Sequence, residues 1–369
     1  MPLHRQRWQL RAITSAVSKA QSTELSSSTY GWPRTRSTPL FGPGMSSQQT
    51  NVLIIGAGMS GLTAALELQR QGIVPVVLDK GRAVGGRMAT RRIGGARFDH
   101  GAQHFSVRSE LFARRTRQWK ETGLIHEWFR SRSLTQQNQP LEPRHAARNG
   151  IRSIPEHLAR TLDVRTSTTI THFEQDGTAI IAVGEQGPMA SGAAAIITPP
   201  LPQTRNLLSA SRFPIADDLM SMLDGVDYDA CLTVMAHLTG PSGLSDGHLA
   251  LGDGPIAWMA DNQHKGVSAE PALTIQSSPG FASAHLEDGI DTWATTLVDH
   301  ATPFLQTAIA GYAAHRWRFS QPRRTYDVGA MSLDLAVPVV LAGEVFAGAR
   351  IEGAFLSGLA AAQQLLDRM

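Results

Sequence analysis

The segment that most constrains this chain is Gly56-Ala57-Gly58-Met59-Ser60-Gly61, a G-x-G-x-x-G pattern set directly after the apolar run of residues 52–55. Leu62, Ala65, Leu66 and Leu68 follow at helical spacing, and a second apolar run covers residues 74–78 after Gly72. A strand, a tight turn, a helix and a parallel strand are predicted in that order. Gly56 permits the turn, Gly58 lets a diphosphate approach the backbone, and Gly61 lets the helix pack closely on the strand. The diphosphate would face the free amides near Met59 and Ser60. Asp79, 23 residues after Gly56, ends the second strand, where its carboxylate can accept from both ribose hydroxyls of a dinucleotide. Nothing in this unit separates NAD from FAD.

A chain of 369 residues with 42% hydrophobic and 18% charged residues has material for more than one core, so two interwoven domains are expected. The pI near 9.3 raises the question of a polyanionic partner. The basic excess is local, however. Residues 1–48 hold six Lys/Arg against Glu24 alone, which leaves 28 basic and 30 acidic residues in 49–369. There is no aromatic-basic stripe, and no run approaches the roughly 18 apolar residues of a membrane span. Neither a nucleic acid nor a membrane is an expected partner. The Ser-, Arg- and Thr-rich residues 1–48 are read as an unstructured leader, either translated sequence upstream of a start at Met45 or a transit segment for organellar import. The body is expected to be cytoplasmic. A single cysteine, Cys231, excludes an internal disulfide framework and a Cys-rich metal cluster.

Residues 110–130 offer Leu111, Phe112, Trp119 and Trp128 as the apolar face of a predicted helix, and residues 153–162 form a second with Pro155 in its first turn. Residues 164–173 and 179–183 around Gln175-Asp176-Gly177 are predicted as a hairpin. A buried strand at 194–198 ends in Pro199-Pro200. Short strands between Tyr228 and Tyr326 predict an antiparallel sheet, and the chain then returns to a strand at 339–342 and a helix over 353–366.

Three further stretches carry a family resemblance. Arg82-Ala83-Val84-Gly85-Gly86-Arg87-Met88-Ala89-Thr90 resembles the arginine and double-glycine motif that follows the second strand in the amine oxidase-like FAD superfamily. There the adjacent glycines Gly85 and Gly86 would let the backbone pass close to the diphosphate while Arg87 supplies charge to it. Leu341-Ala342-Gly343-Glu344, with Gly353-Ala354-Phe355-Leu356-Ser357-Gly358, resembles the segment that closes over the ribityl chain and aims a helix N-terminus at the flavin. Glu344 stands where that family usually has Asp. Residues 97–105 (Arg-Phe-Asp-His-Gly-Ala-Gln-His-Phe), 256–260, Ser278-Pro279 and 315–319 (His-Arg-Trp-Arg-Phe) are similar to bacterial proteins of the renalase-like group. That likeness runs over nearly all of 51–369.

The resemblance implies an α/β chain: a two-dinucleotide-binding (FAD) Rossmann-type domain at 49–97, 150–205 and 331–369, interleaved with a mixed α+β substrate domain built on an antiparallel sheet at 98–149 and 206–330. It implies non-covalent FAD held by Gly56, Gly58, Met59, Ser60, Gly61, Asp79, Lys80, Arg82, Gly86, Arg87, Met88, Glu344, Gly353 and Ala354, with Ile170 on a strand beside the adenine. Cys231 lies outside the segment where some amine oxidases tether their flavin. The implied reaction is hydride transfer from an isomeric dihydronicotinamide dinucleotide to flavin N5, with electrons passed to dioxygen to give hydrogen peroxide. Gln103, His104, His315 and Trp317 are the expected substrate contacts, Trp317 by stacking and His315 by hydrogen bonding. Arg316 and Arg318 alternate with Trp317 and so face away, toward solvent or a phosphate. Lys265, beside Asp261-Asn262-Gln263-His264, is read as a solvated loop residue, the alternative being a place near the flavin such as lysines take in several amine oxidases. His100 and His104 have no evident third ligand, so no metal is expected. A flavin amine oxidase or carotenoid-type desaturase, another FAD-dependent dehydrogenase, and a flavin sensor without turnover remain open. Four tyrosines and 6% aromatic residues argue against an amine oxidase's aromatic cage.

Overall fold

The computed structural model describes residues 51–132 and 141–369; the leader expected at 1–48 lies outside the described residues. Strand β1 (Asn51–Ile55) pairs in parallel with β2 (Val74–Leu78) on one side and β11 (Ala194–Ile197) on the other. β7 (Asp163–Arg165) and β18 (Val339–Leu341) extend the parallel sheet, and β17 (Met331–Leu333) closes one edge in the antiparallel sense. The central strands β1, β2, β11 and β18 read as apolar runs because both faces of the sheet are covered there. Val52 and Ile54 share a core with Leu62 and Leu68 of the first helix (Met59–Arg70). Leu53 and Ile55 face the other way, toward Phe173 and Ile180 of a small antiparallel sheet made by β8 (His172–Asp176), β9 (Ala179–Gly184) and β10 (Gly187–Gly192). The C-terminal helix (Ile351–Leu366) packs so closely on the first helix that a Cβ at Gly358 would strike the Ser60 carbonyl.

A second sheet is antiparallel throughout, in the order β13 (His248–Ala250), β14 (Ile256–Asp261), β15 (Ala272–Ser277), β12 (Tyr228–Leu238), β16 (Ile309–Pro322). Alternation along β12 gives it two faces. Leu232, Val234 and Ala236 share a core with Trp293 and Leu297 of the helix Ile290–Ala301, while Cys231 and Thr233 point to the opposite side. Two hairpins, β3 (Thr90–Ile93) with β4 (Ala96–Asp99) and β5 (Ile125–Ser131) with β6 (Glu142–Ala147), complete the strands.

Two expectations are corrected. The helix read over 110–130 spans only Glu110–Glu121 and stops at Gly123, whose φ of +70° breaks it; Trp128 lies on β5 instead. The strand read over 164–173 is two strands, because β7 joins the large sheet and Ser167, at φ 55°, turns the chain before β8. No helix among the described residues is long and apolar enough to cross a membrane.

Candidate functional site

A cavity of about 2220 Å³ opens between the ends of β1 and β2 and the antiparallel sheet. Ordinary small-molecule pockets occupy roughly 300–1,000 Å³, so this one has room for an extended dinucleotide and a second molecule. Twelve Lys/Arg side chains line it against four Asp/Glu, although residues 49–369 as a whole hold slightly more acid than base. Positive charge is thus concentrated where a ligand would sit.

The half formed by the large sheet fits a dinucleotide. Gly58 precedes the first helix, no side chain caps that helix, and no acid occupies its first turn, which leaves its first amides open. A Cβ at Gly58 would meet nothing within 4 Å and would project into the cavity. Ser60 also lines the cavity, and its buried Oγ has no hydrogen-bond partner. The C-terminal helix likewise has no side-chain cap at Arg350 and brings Ala354 to the wall. Gly56, Met59, Gly86 and Met88 line the same hollow. Ile170 does too, from the irregular stretch between β7 and β8 rather than from the strand expected for it.

Other expected contacts have different partners. Gly61 and Gly353 are not at the cavity wall; Cβ atoms there would strike the Gly56 and Gly348 carbonyls, so both glycines serve close packing. Asp79 accepts from the Ala57 and Gly81 amides, each at 2.6 Å, and thereby ties the glycine turn to the loop after β2. Arg87 is not a free charge for a diphosphate. Its two terminal nitrogens bind both oxygens of Glu344 at 2.6 and 2.5 Å, and one also donates to the Ser320 carbonyl. Burial opposes the charge on Arg87, but the Glu344 carboxylate outweighs it and raises the pKa. Lys80 donates to Gln203 at 2.9 Å, and Arg82 stands exposed at the rim.

The opposite wall is one pleated face of the antiparallel sheet. Trp258, Gln276, Thr233 and His315 follow one another across four strands in register, with Cys231 opposite Trp317 in the next row. The loop after β4 is fastened over this face: Trp317 Nε1 donates to the His100 carbonyl at 2.8 Å, Gln276 Nε2 to the Gly101 carbonyl at 2.8 Å, and Thr274 Oγ1 to the Asp99 carbonyl at 2.9 Å. Gln103 lines the cavity, yet its Nε2 donates to the Asp99 and Gly101 carbonyls and its Oε1 faces Lys265 Nζ at 3.4 Å. Its amide shapes the loop.

His100 packs on Trp317 and edge-on to His315, with ring centroids 5.4 and 5.1 Å apart. Burial, then the neighbouring His315 ring when protonated and the Arg152 charge, push its pKa down to about 3. His104 turns elsewhere, toward Phe129 and Trp258 at 5.1 and 5.3 Å, and burial with Lys265 and Arg144 pushes it to about 3 as well. The His315 pKa is lowered by burial and then by Arg91. All three imidazoles are neutral near pH 7. No cluster of three metal-ligating side chains occurs among the described residues.

Lys265 is the clearest correction. It is wholly buried, 2.8 Å from the Asp99 carboxylate, because that carboxylate gives it a partner inside the fold. Burial lowers its pKa while Asp99 works against the shift. Arg318 pairs with Glu287, and Arg316 with the Asp288 carbonyl, so the turn at 287–288 engages both. Sequence reasoning also missed a cluster of three rings on the cavity wall: His248 stacks on Phe129, at 3.9 Å, and on Trp258, at 4.9 Å, and those two rings are 6.0 Å apart. Phe129 was hidden by the overlong helix. His248 had no signal at all.

Residues 54–115 match the family model of an NAD(P)-binding Rossmann-like domain. Among solved structures, a candidate protoporphyrinogen oxidase from Exiguobacterium sp. 255-15 is similar at 13% identity and a TM-score of 0.65, over 88% of this chain and 100% of that one. Putrescine oxidase bound to putrescine is similar at 15% identity and a TM-score of 0.66, over 87% and 99%. This chain has the fold of those oxidases. That fold is a Rossmann-type dinucleotide domain joined to an antiparallel-sheet domain, and identities this low extend the likeness no further than the fold.

Proposed function

We propose that the chain is an FAD-dependent oxidoreductase that takes a hydride from an isomeric reduced nicotinamide dinucleotide and passes the electrons to dioxygen. The observation that carries this reading is the cavity, whose volume and twelve-to-four excess of basic side chains suit two phosphate-bearing nucleotides side by side. Bound FAD supplies a two-electron acceptor that dioxygen regenerates, with hydrogen peroxide as product.

The protein supplies position. A dihydropyridine becomes aromatic as it gives up hydride, so no side chain has to remove a proton. Neutral imidazoles at His104 and His315 agree with that requirement. Trp317, held through its Nε1 bond to the His100 carbonyl, offers a rigid wall for a flat ring, and His315 beside it offers a hydrogen-bonding edge for a carboxamide. A protonated amine would meet a strongly cationic cavity, which counts against an amine oxidase.

Anaerobic stopped-flow absorbance of the FAD-loaded protein tests the reading. Fast bleaching by a dihydronicotinamide isomer, and none by simple amines, is expected. Bleaching by amines alone replaces this reading with the amine oxidase one, and bleaching by neither class overturns it.

A further inference from the structure

Two ring clusters beside the loop after β4 differ in what covers them. Phe105, Phe112 and Trp119 pack edge to face, with centroids 5.7 to 6.5 Å apart, and belong to the core. His104, Phe129, His248 and Trp258 pack as closely, with contacting rings 3.9 to 6.0 Å apart, yet all four are only part-buried and line the cavity. Rings held at a cavity wall rather than in a core keep apolar surface for an occupant.

The position of this cluster relative to the Trp317 wall is set by the antiparallel sheet. Trp258 shares a row with Gln276, Thr233 and His315, which puts it three strand spacings, or about 14 Å, from His315. The loop after β4 runs along that row: Trp317 holds its His100 carbonyl, Gln276 holds its Gly101 carbonyl, and its His104 ring meets Trp258. Gly101, Ala102 and Gln103 line the cavity between the two ends. The cavity thus has an aromatic wall at each end of a short stretch of backbone. The half that fits the cofactor lies against the large sheet, at Gly58, Ile170 and Ala354, and includes none of the four rings of the second wall.

A cluster of flat rings suits either a cation over the ring faces or a planar heterocycle that stacks. The surrounding charges favour the heterocycle. Lys265 already sets its ammonium 4.9 Å from the ring of Trp128, which packs on Phe129 and His248 at 5.0 and 5.5 Å. Lys265 and Arg144 both disfavour protonation of His104. Each of the four acids on the cavity wall has a partner: Asp79 the Ala57 and Gly81 amides, Asp229 Arg323, Glu344 Arg87, and Glu352 the Arg108 and Ser109 amides. A cationic ligand would therefore enter an already positive corner, whereas a neutral base would not be opposed.

We infer that His104, Phe129, His248 and Trp258 form a second ring subsite, which stacks the adenine base of a dinucleotide reductant while the dihydronicotinamide occupies the His315–Trp317 wall. That the ligand is a reductant rests on the hydride-acceptor reading above; the subsite adds that its far base is held. A dinucleotide carries a flat ring at each end and a mononucleotide at only one, so the chain distinguishes the two although the reacting ring is the same.

The test uses FAD-loaded wild type, Trp258→Leu and, on the edge strand β13, His248→Ala, with retention of the flavin spectrum as the check on folding. KM is measured for the dinucleotide and mononucleotide forms of one dihydronicotinamide isomer, and calorimetry compares adenosine monophosphate with ribose 5-phosphate, which lacks the base. A KM about tenfold lower for the dinucleotide is expected, the scale of one base stacked on an aromatic side chain, with the ratio falling toward one in both variants. Adenosine monophosphate should bind the wild type about tenfold more tightly than ribose 5-phosphate and lose that advantage in the variants. Equal KM values in the wild type, or a ratio unchanged in both variants, overturn the subsite and leave the hydride reading standing. If neither compound bleaches the flavin, the hydride reading fails and calorimetry decides the subsite: a base-dependent affinity that the variants lose supports it, and equal binding of the two compounds or an affinity unchanged in the variants overturns it.

Discussion

The ammonium group of Lys265 lies 2.8 Å from the carboxylate of Asp99, and neither side chain is exposed to solvent. The same carboxylate accepts from Thr90 Oγ1 at 2.6 Å and from the Ile151 amide at 2.8 Å, and the ring of Trp128 covers the ammonium at 4.9 Å. This pair stands directly behind Gln103, so it holds the loop that lines the cavity. Breaking a buried pair from one side leaves an uncompensated charge and costs about 3–5 kcal/mol. Lys265→Met should lose stability on that scale, and adding Asp99→Asn should restore part of it. Urea unfolding of the wild type, both single variants and the double measures the coupling; a loss in the double equal to the sum of the two single losses would show that there is none.

Acid should destabilise the fold through His100 and His104. Both have folded pKa values of about 3 against an ordinary 6.5, owing first to burial. As pH falls below 6.5 the unfolded chain takes up these protons and the folded chain does not, so stability is complete above about 6.5 and declines between there and about 3. At about pH 5.5 each ring accounts for roughly 1.4 kcal/mol. Melting temperature followed from neutral to that pH should fall, and His104→Asn should flatten the slope. A level profile in the wild type would contradict the neutral burial of these rings.

Gly58 and Gly61 should respond in opposite ways to the same methyl group. At Gly58 the added Cβ enters open cavity; at Gly61 it meets the Gly56 carbonyl. Gly58→Ala is expected to fold normally and to bind FAD at least about tenfold more weakly, a loss of roughly 1.4 kcal/mol. Gly61→Ala is expected to lose stability, on the scale of about 1–3 kcal/mol for an overpacked site. Flavin fluorescence titration and thermal melts separate the two, and full FAD affinity in Gly58→Ala would sink the assignment of that backbone to the cofactor path.

Trp317→Phe retains a flat wall and removes the donor to the His100 carbonyl. The expected outcome is a loss of about 1 kcal/mol together with slower flavin bleaching, because the loop from His100 to Gln103 loses one of its fastenings. Unchanged bleaching would mean that the loop is held without it.

What was legible in the sequence depended on how far apart the cooperating residues lie. The glycine turn could be read because its steric demands fall within six residues and are flanked by two apolar runs whose periodicity is unambiguous. Lys265 could not, because the carboxylate that makes its burial tolerable lies 166 positions earlier, on β4. Beside four polar neighbours, a lone lysine reads as solvent-exposed. The ring cluster was invisible for a related reason: His248 and Trp258 lie on the adjacent strands β13 and β14, and Phe129 reaches them only through packing of the β5–β6 hairpin on the antiparallel sheet. The overlong helix was a local error, since Gly123 after Thr122 is an ordinary stop signal and Trp128 beyond it merely continued the apolar spacing.

The bridge between Arg87 and Glu344 joins residues 257 apart in the chain. A ribosome making this protein emits the first strand, helix and second strand early, and that unit can begin to order as it emerges. The clasp across the dinucleotide half has no second jaw until residue 344 has left the exit tunnel. Until then the nascent chain carries a nearly finished glycine turn with that clasp still open.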